Sequence, residues 1–333
     1  MIIPPFLPPD GSIGVTAPSF GVTDPTDVRR FANARKKLEE QGHRVLETPD
    51  VYTTDEDGRS APAEQRVKEL CSLLEDPEIG YIVSAKGGDY QIEMLDCMRW
   101  DVLERSPKWI QGYSDNTVLL FKATAEHDVA TVYGGNFGDY GMEPWHRSVS
   151  ENLEFIEGRR DAQDSFPFHE EGFSDKVTGL EGLNEEAPTL WATSCGDVSF
   201  EGRLIGGCMD VLEWFHWTGT ADPCGFVSKY AEEGIVWYME TYDMDEARVS
   251  RMLKGMSKDG WFEDSKGFVF GRPLFFRGED YVKTVEDALS EYDVPKVFGA
   301  DVGHKAPRMT FINGAFSEFR IEKGSCTLKY RLR

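Results

Sequence analysis

The sequence predicts an α/β protein whose N-terminal half holds a parallel sheet and whose C-terminal half forms a second, strand-rich domain. Three observations carry that prediction. Short apolar runs alternate with amphipathic helical stretches from residue 12 to residue 125. Between 157 and 190 the pattern dissolves into a polar, acidic, Gly-containing stretch that reads as a linker or mobile loop. From residue 198 onward strand-like runs return. Strands that alternate with helices pair in parallel and are covered on both faces. The chain therefore divides into 1–156, 157–190 and 191–333.

Residues 12–17 form the first strand and run into the small-residue loop 18–21. A helix over 27–41 follows, with Val28, Phe31, Ala32 and Leu38 at helical spacing and Gly42 as a stop. Strand 43–47 precedes a helix over 61–74, where Val67, Leu70, Leu73 and Leu74 share a face. Strand 80–84 leads into Lys86-Gly87-Gly88-Asp89, and 90–98 reads as helical. Strand 108–113 leads into Ser114, and 116–125 is a helix. In the second domain, 198–205, 234–239, 267–271 and 296–299 read as strands and 245–255 as a helix. Residues 309–319 read as paired strands with a hairpin turn at Asn313-Gly314.

Charge and cysteine usage narrow the function classes. Lys and Arg total 36 against 59 Asp and Glu, a formal net charge of −23. Such a polyanion repels phosphate backbones and anionic lipid, which argues against nucleic-acid and membrane-surface partners. The six cysteines make no C-x-x-C pair and no compact Cys/His cluster, so zinc-finger and thioredoxin-like readings lose support. A chain of this length builds a core without disulfides, and the first residues lack the basic and apolar regions of a signal peptide. The expected compartment is the cytoplasm. No apolar run of about 18 residues predicts a membrane span.

Ligands of parallel sheets bind beyond the carboxyl ends of the strands, and the chemistry candidates lie there. In Gly112-Tyr113-Ser114-Asp115-Asn116, a strand enters a Gly-x-Ser turn and then a helix. Such a turn lifts a serine hydroxyl out of the sheet, although Asn116 stands where a full G-x-S-x-G elbow has its second glycine. The same residues also read as a plain helix cap, with Ser114 or Asp115 at the N-cap. The Gly87-Gly88 pair permits close backbone approach and an N–H aimed at an oxyanion; it equally reads as a tight turn. No G-x-x-x-x-G-K-[ST] phosphate loop and no H-E-x-x-H occurs.

Among the histidines, His304 lies in Gly303-His304-Lys305-Ala306-Pro307 after a strand-like segment, either as a held base or as a surface loop residue. His216, between Trp214, Phe215 and Trp217, reads as part of an aromatic core, and His146 as structural. Glu240 ends the apolar run 235–239, where a carboxylate needs a partner. An imidazole would suit it. The order Ser114, Glu240, His304 can meet only if both domains face one cleft.

Gly112-Tyr113-Ser114-Asp115-Asn116-Thr117, Lys86-Gly87-Gly88-Asp89, Leu204-Ile205-Gly206-Gly207-Cys208, Trp237-Tyr238-Met239-Glu240 and Gly303-His304-Lys305-Ala306-Pro307 occur in an order that resembles the LD-carboxypeptidase family of serine peptidases. The resemblance runs from Ile13 to about Phe316. Residues 140–146 resemble the branch containing microcin C self-immunity peptidases more than the muramoyl-tetrapeptide branch. The resemblance implies a Ser114–Glu240–His304 triad and an oxyanion hole from the N–H groups of Gly88 and Asp115. It implies an N-terminal domain similar to class I glutamine amidotransferases, a smaller β-rich α+β C-terminal domain and a homodimer. It implies hydrolysis of an amide in a small peptide or peptide-nucleotide, without metal or cofactor. Gly87, Cys208 and Trp191 are the candidate substrate contacts. Cys208 replaces an Asn of many relatives, and Trp191 would substitute for the adenine-stacking Trp of the microcin branch. The rival readings are a non-catalytic peptide-binding protein and a nucleotide-dependent α/β enzyme, the latter disfavoured by the missing phosphate loop.

Overall fold

The computed structural model describes residues 1–174 and 176–332. Two large sheets and one two-stranded ribbon, Phe168–His169 with Ala187–Pro188, organise them. The first has six strands in the order Phe311–Asn313, Thr131–Tyr133, Trp109–Gly112, Ile79–Ser84, Ser12–Thr16, Arg44–Glu47. Its five N-terminal strands run parallel, and Phe311–Asn313 joins antiparallel at one edge. Ser12–Thr16 and Trp109–Gly112 are buried at every position, which is why they show no alternation of apolar and charged residues. The helix Pro25–Glu40 covers one face through Phe31, Ala34 and Leu38. Asp24 caps it by accepting the N–H groups of Thr26 and Asp27, and Pro25 occupies the first turn, where no N–H is needed.

The second sheet has eight strands, in the order Ala162–Asp164, Ser325–Arg331, Phe316–Glu322, Val198–Cys208, Ile235–Glu240, Ser265–Gly271, Lys296–Ala300, Ala192–Thr193. Val198–Cys208, Ile235–Glu240, Ser265–Gly271 and Lys296–Ala300 are parallel, and the flanking pairs are antiparallel. The chain is thus mixed α/β with a parallel sheet first and a β-rich region after it. The described residues between 157 and 190 form three short strands, Ala162–Asp164, Phe168–His169 and Ala187–Pro188. Among the described residues, no helix is long and apolar enough to cross a membrane.

Two expected elements differ. Asn313-Gly314 is not a hairpin turn: Phe311–Asn313 pairs with Thr131–Tyr133 in the first sheet, while Phe316–Glu322 pairs with Val198–Cys208 and Ser325–Arg331 in the second. The Asn313 side chain makes the crossing, with Oδ1 accepting the Gly206 N–H at 3.2 Å and Nδ2 donating to Thr131 Oγ1 at 3.3 Å. The hairpin lies at Lys323-Gly324, both at positive φ (51° and 78°), as a two-residue turn requires. Residues 90–98 hold only one 3₁₀ turn, Gln91–Met94, before the helix Trp100–Arg105. Tertiary bonds override helix here: the Gln91 N–H donates to the Asp115 carboxylate at 2.9 Å, and its amide donates to Asn116 Oδ1 at 2.9 Å.

The parallel strands of both sheets end toward a common cleft. Gly87, Gly88 and Ser114 follow strands of the first sheet; Cys208, Glu240 and His304 end or follow strands of the second.

Candidate active site

Ser114 stands at φ +66°, a left-handed conformation that a non-glycine residue adopts only when its surroundings impose it. Tyr113 before it is extended, and a 3₁₀ turn, Ser114–Asn116, leads into the helix Thr117–His127. Asn116 explains the departure from the second elbow glycine. Its amide donates to the carbonyls of Lys86 at 3.1 Å and Tyr113 at 3.0 Å, lashing the Gly87 loop to the serine turn. A Cβ on Gly87 would lie 3.0 Å from Ser114 Cβ and 3.2 Å from its Oγ. The glycine therefore keeps the hydroxyl's surroundings open.

His304 Nε2 lies 2.9 Å from Ser114 Oγ, and its Nδ1 lies 2.8 Å from Glu240 Oε2. Glu240 is fully buried and ionised, so Nδ1 carries the donated proton and Nε2 is left as acceptor for the serine hydroxyl. Burial pushes the Glu240 carboxyl up. The positive charge available on His304, with hydrogen bonds from His304 and Tyr133, outweighs it and holds the group below its ordinary value. Gly303 makes this contact possible: it sits at φ +103°, and a Cβ there would fall 2.6 Å from Glu240 Oε2. The imidazole is 5 % exposed and ringed by Tyr113, Tyr242 and Phe173, with centroids at 5.3, 4.7 and 6.4 Å.

Gly88 and Asp115, whose N–H groups are the oxyanion-hole candidates, line the same cleft as Ser114. Gly88 has φ +152° and faces the side chains of Ser19 and Phe20. Asp115 is second in its 3₁₀ turn, where no intrahelical acceptor exists. Among the described residues, neither N–H enters a turn or loop backbone hydrogen bond. The Asp115 carboxylate is already engaged, accepting from Ser19 Oγ at 2.5 Å and from the Gln91 N–H. Burial raises its pKa, opposed by those same donors.

The cleft of about 500 Å³ is lined by Gly87, Gly88, Ser114 and His304, by the acids Asp89 and Asp210, and by Ile92, Val118, Trp214, Tyr242 and Phe173. Cys208 also lines it. Its thiol donates to Asp210 Oδ2 at 3.5 Å, and burial, then the Glu240 charge, pushes its pKa well up. Among the described residues no Lys or Arg lines this cleft. No cluster of three or more His, Cys, Asp or Glu side chains among them is set to hold a metal.

Trp191 does not join the site. It is 1 % exposed, with its indole N–H on Asp301 Oδ2 at 3.1 Å, packed in the core rather than facing the cleft. The aromatic that the 157–190 stretch does bring to the cleft is Phe173, 60 % exposed. His216 does pack on an aromatic, meeting buried Trp261 edge-on at 5.7 Å, while its flanking Trp214 and Trp217 are exposed and its imidazole bonds Asp259 Oδ2 at 2.7 Å. Sequence reasoning also missed Tyr133, whose hydroxyl donates to Glu240 Oε1 at 2.6 Å. The short strand Thr131–Tyr133 offers three residues, too few to show a period.

A hydroxyl, an imidazole and a carboxylate joined in sequence at the mouth of an α/β sheet is the arrangement of a serine hydrolase. Comparison with known proteins narrows the class. Residues 13–134 match the LD-carboxypeptidase N-terminal domain, and residues 201–319 match the LD-carboxypeptidase C-terminal domain. The chain belongs to the LD-carboxypeptidase family of serine peptidases. It is 30% identical to a putative carboxypeptidase of Treponema pallidum, over 95% of this chain and 92% of that protein. It is 24% identical to the microcin C7 self-immunity protein MccF of Escherichia coli, over 92% of this chain and 90% of that one. A solved MccF variant in complex with adenosine monophosphate superposes with a TM-score of 0.82 at 20% identity, covering 100% of this chain and 99% of the other.

Proposed function

We propose that Ser114 is the nucleophile, His304 the general base and acid, and Glu240 the orienting carboxylate of an acyl-transfer hydrolase. The carrying observation is the pair of contacts from one imidazole, 2.9 Å to Ser114 Oγ and 2.8 Å to Glu240 Oε2. His304 takes the hydroxyl proton as Ser114 attacks an amide carbonyl, and Glu240 offsets the imidazolium charge. The N–H groups of Gly88 and Asp115 hold the oxyanion, each worth about 3 kcal/mol. His304 then gives the proton to the departing amine, and water, deprotonated by the same imidazole, clears the acyl-enzyme. No step requires a cofactor.

The substrate in this reading is a small peptide or peptide-nucleotide. Asp89 and Asp210 favour an amino-bearing portion in the main cleft. Exposed Phe173 beside Tyr242, with centroids at 6.5 Å, supports the peptide-nucleotide variant, because a free ring there offers a stacking face. The muropeptide variant keeps the same chemistry without that stack. A cytoplasmic homodimer completes the reading, supported by family resemblance. The test is incubation with LD-tetrapeptides and aminoacyl-adenylate analogues, read by mass spectrometry, beside the Ser114→Ala protein. Cleavage by the wild type alone supports the reading. Mass gain without fragments favours the peptide-binding alternative, and equal cleavage by Ser114→Ala removes the nucleophile assignment.

A further inference from the structure

We propose that Tyr133 is a positioning residue of the reaction centre, its hydroxyl tying the Glu240 carboxylate to the backbone of the nucleophile. The inference rests on the triad reading above and extends it. Tyr133 is 1 % exposed and closes the strand Thr131–Tyr133 beside the serine-bearing strand. Its hydroxyl donates to Glu240 Oε1 at 2.6 Å and accepts the Ser114 N–H at 3.0 Å. One oxygen thus bonds the acid of the second sheet and the strained residue of the first. Glu240 Oε2 is left for His304, so the two carboxylate oxygens have separate donors and the carboxylate cannot rotate freely. The Ser114 N–H, turned away from regular helix bonding by φ +66°, finds its acceptor in the phenol.

Removing the hydroxyl has two consequences. The serine turn loses an anchor, which slows attack. Glu240 loses a donor that drew off part of its charge; more of that charge then bears on the imidazole of His304 and favours its cationic form. The other charged groups coupled to Glu240 among the described residues are Asp210 and Arg308, and the neutral Cys208 thiol and the Tyr113, Tyr238 and Tyr281 hydroxyls sit in its field. All stay in place in a Tyr133→Phe protein, so a shift traces to the missing hydroxyl.

The experiment measures the rate of covalent labelling by a fluorophosphonate probe, which needs an activated serine and no knowledge of the substrate, from pH 5 to 9. Four full-length proteins are compared: wild type, Ser114→Ala, Tyr133→Phe and Tyr330→Phe. The last loses an equally buried hydroxyl, on the Thr310 carbonyl at 2.8 Å, away from the cleft. Tyr133→Phe should label about 10- to 100-fold more slowly, the range for one hydrogen bond to a buried charge. The acidic limb of its profile should move to higher pH, with Tyr330→Phe unchanged in both respects. Encoding 3-fluorotyrosine at 133, which keeps the hydroxyl, should restore the rate. A Tyr133→Phe protein with wild-type rate and profile, or a Tyr330→Phe protein altered in the same way, overturns the inference. Labelling that persists in Ser114→Ala instead overturns the triad reading on which it stands.

Discussion

Replacing Glu240 by Gln removes a charge and almost no volume, so its effect isolates what the carboxylate does. Two donors converge on it: His304 Nδ1–H at 2.8 Å on Oε2 and Tyr133 O–H at 2.6 Å on Oε1. An amide offers one acceptor oxygen and one NH₂. If the oxygen faces His304, the Tyr133 proton has no acceptor, and the imidazolium formed during attack loses its counter-charge. Two unit charges about 4 Å apart at an effective dielectric near 20 interact by about 4 kcal/mol, or roughly 10³-fold in rate. If the NH₂ faces His304, Nδ1 must accept, the proton moves to Nε2, and no base faces Ser114. That wrong tautomer brings the expected loss to about 10³–10⁴-fold. The assay is turnover of whichever panel substrate the wild type cleaves, with thermal melting to show that the fold survives. A Glu240→Gln protein within about tenfold of wild type would refute the claim that a buried carboxylate supports the imidazole.

Other expectations follow from the same geometry. Gly303→Ala places a Cβ 2.6 Å from Glu240 Oε2 at φ +103°; it should lower turnover by at least about 10²-fold and also lower Tm, since strain at such a position costs about 1–3 kcal/mol. Phe173→Ala should raise KM for nucleotide-bearing substrates and leave plain tetrapeptides unaffected; equal effects on both would remove the stacking role. Asp50 tests the electrostatics away from the cleft. It is 3 % exposed, its Oδ2 has no hydrogen-bond partner, and burial raises its pKa to about 6 despite the Thr48 hydroxyl bonded to Oδ1. A carboxyl raised above its unfolded value of about 4 binds more protons when folded, so stability falls as pH rises from about 4 to 6. Asp50→Asn should therefore be more stable than wild type at pH 7, by about 2 kcal/mol, and no more stable at pH 4; a stability difference independent of pH would contradict this.

Much of this architecture was legible because buried parallel strands announce themselves as apolar runs. Val83-Ser84, Gln111-Gly112 and Met239-Glu240 each end such a run, and the candidate residues follow or close it. The strand–turn–helix change placed Ser114 at the strand end but read as readily as a helix cap, whereas Glu240 stood out by the cost of a carboxylate at a buried strand end. His304 was ambiguous on local grounds, because a loop histidine's role depends on what lies across the cleft. The contributions of Tyr133 and Phe173 were not legible. A three-residue strand shows no period, and Phe173 lies in a stretch with no pattern, so only tertiary packing displays its ring. Trp191 failed as a substrate contact for the converse reason: its bond to Asp301, 110 residues away, draws it into the core. Asn313-Gly314 carries a hairpin signal, yet the Asn side chain bridges two sheets. Local turn chemistry does not encode which sheet the next strand will join.

Rapid-quench mass spectrometry during turnover reads out the nucleophile itself. With a cleavable panel substrate, a transient acyl mass should appear on the peptide containing Ser114, absent from Ser114→Ala and strongly reduced in His304→Ala. Turnover without any adduct on that peptide, or with the acyl group on another residue, would contradict the Ser114 assignment.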